Sequence, residues 1–174
     1  MLKAEAKLAT VIRRTVGRSA RVALGSPNIS SGKKGFTKPT IYLRFNQFCD
    51  ATAQVTGSVY AGRRVITEGN LTGFREERPG HISIHIDVIS DDYLETQELR
   101  QKLLGAVLVF LDTLRMLQLS DPKDGNVELL FKDIAPSLRD FSINAINSCQ
   151  EPLYCGQIHY ELNGFLHVCV KRLS

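Results

Sequence analysis

No apolar run in the 174-residue sequence is long enough to cross a bilayer. The longest nearly uninterrupted one, residues 103–111, stops at Asp112, far short of the roughly 20 residues a membrane helix needs. The first seven residues, MLKAEAK, alternate charge with small side chains and have no apolar centre, so no secretory signal is expected and synthesis in the cytosol is. Cys49, Cys149, Cys155 and Cys169 lack a paired short spacing, which argues against a disulfide scaffold and for reduced thiols. No glycine-framed serine marks a nucleophile elbow. Residues 25–35 resemble a phosphate-binding loop only around Gly32-Lys33: Pro27 stands where the first glycine is required, and Lys34 where the final serine or threonine is. Acidic residues are almost missing from the first 44 positions, where Glu5 is alone.

Against that single acid stand Lys3, Lys7, Arg13, Arg14, Arg18, Arg21, Lys33, Lys34, Lys38 and Arg44, so residues 1–44 carry +9. The remainder, with 12 basic and 17 acidic residues, carries −5, and the chain as a whole +4. A basic third on an acidic body points to an electrostatic partner, either nucleic acid or the acidic surface of a neighbouring subunit. Only Phe36, Tyr42 and Phe45 are available to stack on bases there, and no recognition helix or stacking platform is evident, so any DNA contact is expected to be non-specific.

The apolar fraction of 43% and charged fraction of 23% are those of a globular protein, and the length suits one domain over residues 1–174. Residues 2–16 form an amphipathic helix with Leu8, Val11, Ile12 and Val16 inward and Gly17 to stop it. A short strand follows at 20–24, then a flexible basic loop at about 25–38, and a strand at 39–48. Residues 67–80, with Gly69, Gly73 and Gly80, suit a long loop or an extended hairpin. Their charges Arg75, Glu76, Glu77 and Arg78 are candidates for an inter-subunit contact. In residues 81–88, Ile82, Ile84, Ile86 and Val88 alternate with His81, Ser83, His85 and Asp87, the pattern of a half-buried strand.

A long helix begins near Asp92, its N-cap, with Glu95 three residues on as in a capping box. One apolar stripe runs through Leu103, Val107, Phe110, Leu114 and Leu117, and a second through Leu104, Leu108 and Leu111. A sheet covers only one side of such a helix, so a second layer or a neighbouring subunit is expected on the rest. A strand is expected at 127–131, residues 135–149 fit no single period, and Asn163-Gly164 favours a type I′ hairpin joining strands at 153–162 and 165–171. The fold class that follows is α+β, a mainly antiparallel sheet packed by one long helix and a short N-terminal helix.

Candidate chemistry is sparse. His81 and His85 stand about 13 Å apart along a strand and cannot share one zinc. His85 with Asp87 could, given ligands from another element, and Cys149, Cys155, His159, His167 and Cys169 could converge across the expected hairpin. The spacings match no standard zinc pattern, so neither an enzyme nor a cofactor is expected.

Taken in order, the parts resemble the tail-terminator and related head–tail joining (neck) proteins of tailed bacteriophages. The likeness lies in the basic first helix, the glycine-rich loop after a short strand, the Pro39-Thr40-Ile41 strand entry, Arg78-Pro79-Gly80 leading into the alternating strand, the long helix from Tyr93 and the closing Asn163-Gly164. It implies a virion structural protein made in the host cytoplasm: a homo-oligomeric ring, usually a homohexamer. The ring would cap the tail tube, stop tail elongation and offer a surface to the head connector and to a sheath protein. It implies no catalytic residue, cofactor or membrane. Lys3, Lys7, Arg13, Arg14, Arg18, Arg21, Lys33 and Lys34 are candidates for lining a channel crossed by DNA or for docking on an acidic partner. Another tail-completion or connector protein, or a small non-specific DNA-binding protein, are the alternatives.

Overall fold

The computed structural model describes residues 3–27, 38–51, 64–68, 71–120, 126–146 and 152–173. Its elements run α1 (Lys3–Val16), β1 (Arg21–Leu24), β2 (Thr40–Phe45), β3 (Cys49–Asp50), β4 (Arg64–Glu68), β5 (Leu71–Ser90), α2 (Tyr93–Thr113), β6 (Met116–Gln118), β7 (Val127–Ile146) and β8 (Leu153–Leu173). This is an α+β fold. The eight strands form one sheet in the order β1-β2-β5-β8-β7-β6, with β3 and β4 also on β5. Every pairing is antiparallel except β1 with β2. No helix of the described residues is long and apolar enough to cross a membrane.

α1 forms where its apolar residues recur every three or four positions. Ala4, Leu8, Ala9, Ile12 and Val16 are buried. At its end Gly17 takes a left-handed φ of 57° and donates its amide to Arg13 O (2.9 Å), a cap that glycine adopts without a Cβ penalty. α2 starts as its residues predict, with Asp92 Oδ1 accepting from the Glu95 amide (3.1 Å). The return half of the capping box is relayed: Ser90 Oγ donates to Glu95 Oε2 (2.9 Å) and accepts from the Asp92 amide (3.2 Å).

The helix turns back over the sheet it has just left. Thr96, Leu99, Arg100, Leu103, Val107 and Leu111 are buried, and each fully buried leucine or valine contributes about 1.5–3 kcal/mol. α1 packs along one flank of α2 and supplies the second layer there. The outer face remains open, with Leu94 66%, Leu108 44% and Val109 69% exposed, so the expected stripe through Leu104, Leu108 and Leu111 is split: Leu111 is buried and Leu104 packs against the core, while Leu108 faces outward. The helix also ends earlier than its apolar run. Leu114 is the C-cap in extended conformation, and Leu117 is buried as part of β6, opposite Phe131.

On β5, Ile82, Ile84, Ile86 and Val88 face the helices and are buried, as the alternation predicts. The largest departure lies at the C-terminus. Residues 153–173 are one continuous strand, with no hairpin at Asn163-Gly164. β8 pairs with β5 along its whole length and with β7 on its other side, and those two ladders outweigh the local turn preference. Residues 135–146, with no dominant period, are the second half of β7, which bends through register shifts between Lys132 and Ala135 and between Leu138 and Asp140. Asp133 sits at the first shift with φ 55°, a conformation aspartate tolerates better than most residues.

Gly80 and Gly164 face each other across the β5–β8 ladder. A Cβ on Gly164 would lie 2.6 Å from Lys132 O and 2.9 Å from the Phe131 ring, and one on Gly80 would overlap the Phe48 ring and the Cys49 carbonyl. Phe48 and Phe131 meet edge to face over this glycine pair at 5.8 Å. They close the core, because beyond them residues 127–130 of β7 and 165–170 of β8 are partly buried or exposed. The first half of β5 and the second half of β8 therefore continue as a ribbon for about 30 Å past this seal, joined on the β8 side by the start of β7 as far out as Val127 opposite Val170. β4 pairs with the outer part of β5, Arg64–Glu68 against Leu71–Arg75, so the pairing starts before the expected segment 67–80 and residues 76–80 belong to the longer ladder.

Candidate partner and nucleic-acid interface

Five of the predicted basic residues share one element. Lys3, Lys7, Arg13, Arg14 and Arg18 lie on α1 or just beyond it and are exposed. Lys3, Lys7 and Arg14 follow one another along the stripe opposite Leu8 and Ile12, since 3.6 residues make a turn, and Arg18 lies just past the Gly17 stop. The lone acid is turned away from them: Glu5 Oε1 accepts from the Phe45 amide (3.4 Å). Arg21, exposed, opens the edge strand β1, and Lys38 reaches the same region by donating from Nζ to Arg18 O (3.2 Å). Lys33 and Lys34 lie outside the described residues, as does most of the expected basic loop.

The charged stretch 75–78 is strand, not loop. Arg78 Nε donates to Glu76 Oε1 (2.8 Å), and Arg78 Nη1 to Asp50 Oδ2 (3.2 Å). The Glu76 carboxylate raises the Arg78 pKa, first through that hydrogen bond and then by its charge, with Asp50 adding less. Glu77 Oε1 stands 3.2 Å from His167 Nδ1 on the neighbouring strand. These charges thus have partners within the subunit. Arg75 occupies the same strand, paired in register with Cys169.

The sheet face away from the helices holds a cluster that sequence spacing does not reveal. Ladder register places His85 opposite both Arg44 and His159, and the two imidazoles stack at 4.1 Å with a 17° angle between planes. Asn46 Nδ2 donates to His85 Nε2 (3.3 Å), and Arg44 Nη1 donates to Ser26 Oγ (2.8 Å). Burial first, then the nearby His159 and Arg44, lowers the His85 pKa from 6.5 to about 4. Asp87 is pushed up by burial, against the opposing pull of Arg44, Gln157 and His159. Burial next to Asp87 raises the Cys155 thiol to about 12, which keeps it protonated and poorly nucleophilic.

No group of three or more His, Cys, Asp or Glu suited to a metal occurs among the described residues. The convergence of Cys155, His159, His167 and Cys169 that a hairpin would have created is lost in a continuous β8, where Cys155 and Cys169 are about 46 Å apart along the strand. Cys149 lies outside the described residues. A further buried cation, Arg100, stands with Cζ 3.9 Å from the centre of the Phe141 ring. Nothing in its largely polar sequence neighbourhood marks it as buried, and Phe141 comes from the segment with no clear period. Compared with known families the chain matches none, and the comparison with curated proteins finds no match either.

Proposed function

We propose that the chain is a structural subunit of a phage-type neck: a tail-terminator-like protein that closes into a head-to-tail ring on a tail tube and presents a surface to a head connector. The observation that carries the assembly part is the ribbon. Its helix-side strip, Leu129, Leu166 and Val168, lying beside Glu76 and Arg78 of β5, continues the core face past the Phe48–Phe131 seal yet stays only partly buried, and a strip of this kind is stabilised when another subunit covers it. The solvent-facing stripe Lys3, Lys7 and Arg14, with Arg18 just past the helix end, supplies the polyanion-facing side of the same reading. The proposal assigns no catalytic residue. Size-exclusion chromatography with light scattering, alone and with purified tail tubes, tests it. A discrete ring is expected, and a chain that stays monomeric in both conditions overturns it.

The α1 stripe also favours a second reading, a small non-specific DNA-binding protein. In that case the isolated chain binds duplex DNA with an affinity that falls steeply with salt, and Arg14→Glu with Arg18→Glu weakens binding to every sequence alike.

A further inference from the structure

Between the start of α1 and the end of α2 lies a groove of about 400 Å³, bordered by β6. Lys3, Lys7 and Arg115 stand on its walls, and no carboxylate does among the described residues. Its apolar side is formed by Phe110 and Leu117. β6 ends the sheet order. Leu119 donates its amide to Leu129 O (2.9 Å), and in an antiparallel ladder such contacts alternate. Leu117 and Leu119 therefore point to β7, while the backbone groups of Met116 and Gln118 point outward with no backbone partner among the described residues.

We propose that this groove binds an extended, acidic segment of a partner protein, added as a strand beside β6. In such a segment side chains alternate, so apolar positions would meet Phe110 and Leu117 while carboxylates meet the three cations. The β6 edge supplies main-chain hydrogen bonds, and the pockets and charges supply selectivity. Charge complementarity selects the chemistry: the groove is uniformly basic, on a chain whose residues beyond 44 are net acidic. A phosphate backbone would use the cations but neither the outward strand edge nor the apolar side. The inference stands on the groove alone and does not require the ring.

The test is fluorescence anisotropy of the full chain with labelled peptides alternating glutamate and valine, and a matched set with lysine in place of glutamate. The glutamate peptides should bind and the lysine peptides should not. Lys3→Glu with Lys7→Glu should weaken binding by about tenfold or more. Gln118→Pro removes an outward amide that the β6–β7 ladder does not use and should weaken binding with the charges intact. Circular dichroism checks that each variant is folded. Equal binding of both peptide sets overturns the proposal, as does complete displacement by short duplex DNA. So do Lys3 and Lys7 variants that lower the melting temperature but keep full affinity, since the cations would then serve only the carbonyl end of α2.

Discussion

The stacked imidazoles of His85 and His159 make acid the condition under which individual residues weaken this fold. His85 binds its proton less readily in the folded chain, at about 4 against 6.5. Its contribution to stability is therefore complete above 6.5 and is lost as pH falls from there towards 4. Asp87, with its pKa raised, acts in the opposite sense at the acid end of that window, because the folded state takes up its proton more readily. Urea midpoints measured from pH 7 to 4 should fall for the natural sequence and fall distinctly less for His85→Gln. An unchanged slope would show that His85 does not titrate with folding. Gly164 tests sterics instead. The backbone oxygen of Lys132, where a Cβ would lie 2.6 Å away, cannot swing aside as a side-chain tip could, and Gly164→Ala should cost about 2–3 kcal/mol by chemical denaturation. These two positions were hidden in the sequence for different reasons. Asn163-Gly164 carries a real local preference for a turn, and His85 meets His159 only through a register that no spacing encodes.

Among the elements, α2 separates what a pattern tells from what it leaves open. Its start was legible, because the cap is made between neighbours three residues apart. Its buried side was less so: the helix is apolar over much of its surface, and only the docked position of α1 and the sheet selects Val107 over Leu108. Val107→Asp puts an unpaired charge into a fully buried site and should cost about 4 kcal/mol or more. Leu108→Asp, at a position 44% exposed, should change subunit stability by no more than about 0.5 kcal/mol. Thermal unfolding of the two variants decides it, and equal destabilisation would mean that α2 sits rotated from the orientation described. The boundary between α2 and β6 was missed because Leu114 and Leu117 extend the helical spacing, whereas the pairing of β6 with β7 takes Leu117 for the sheet.

For the whole molecule, assembly and folding should be separable. Val168 lies on the ribbon, outside the sealed core, so Val168→Asp should lower subunit stability by about 1 kcal/mol or less. Light scattering should nevertheless show the variant failing to form the ring proposed for the natural sequence. A Val168→Asp chain that assembles normally would remove the ribbon from the interface. The charge division between residues 1–44 and the rest was visible from composition. That Glu5 turns inward and leaves a continuous basic stripe on α1 was decided by the packing of α1 against β2.

By itself the sequence determined what short-range physics controls: the amphipathic first helix and its glycine stop, the cap at Asp92, the alternation of Ile82 to Val88, the α+β class and the basic first third. Tertiary structure decided the rest. Three strands of 20 or 21 residues, the glycine pair at 80 and 164, the histidine stack and the groove beside β6 all depend on partners tens of residues away. The free energy of a strand resides in ladders with such partners. A chain read locally therefore shows where it can turn, and the completed sheet determines where it does.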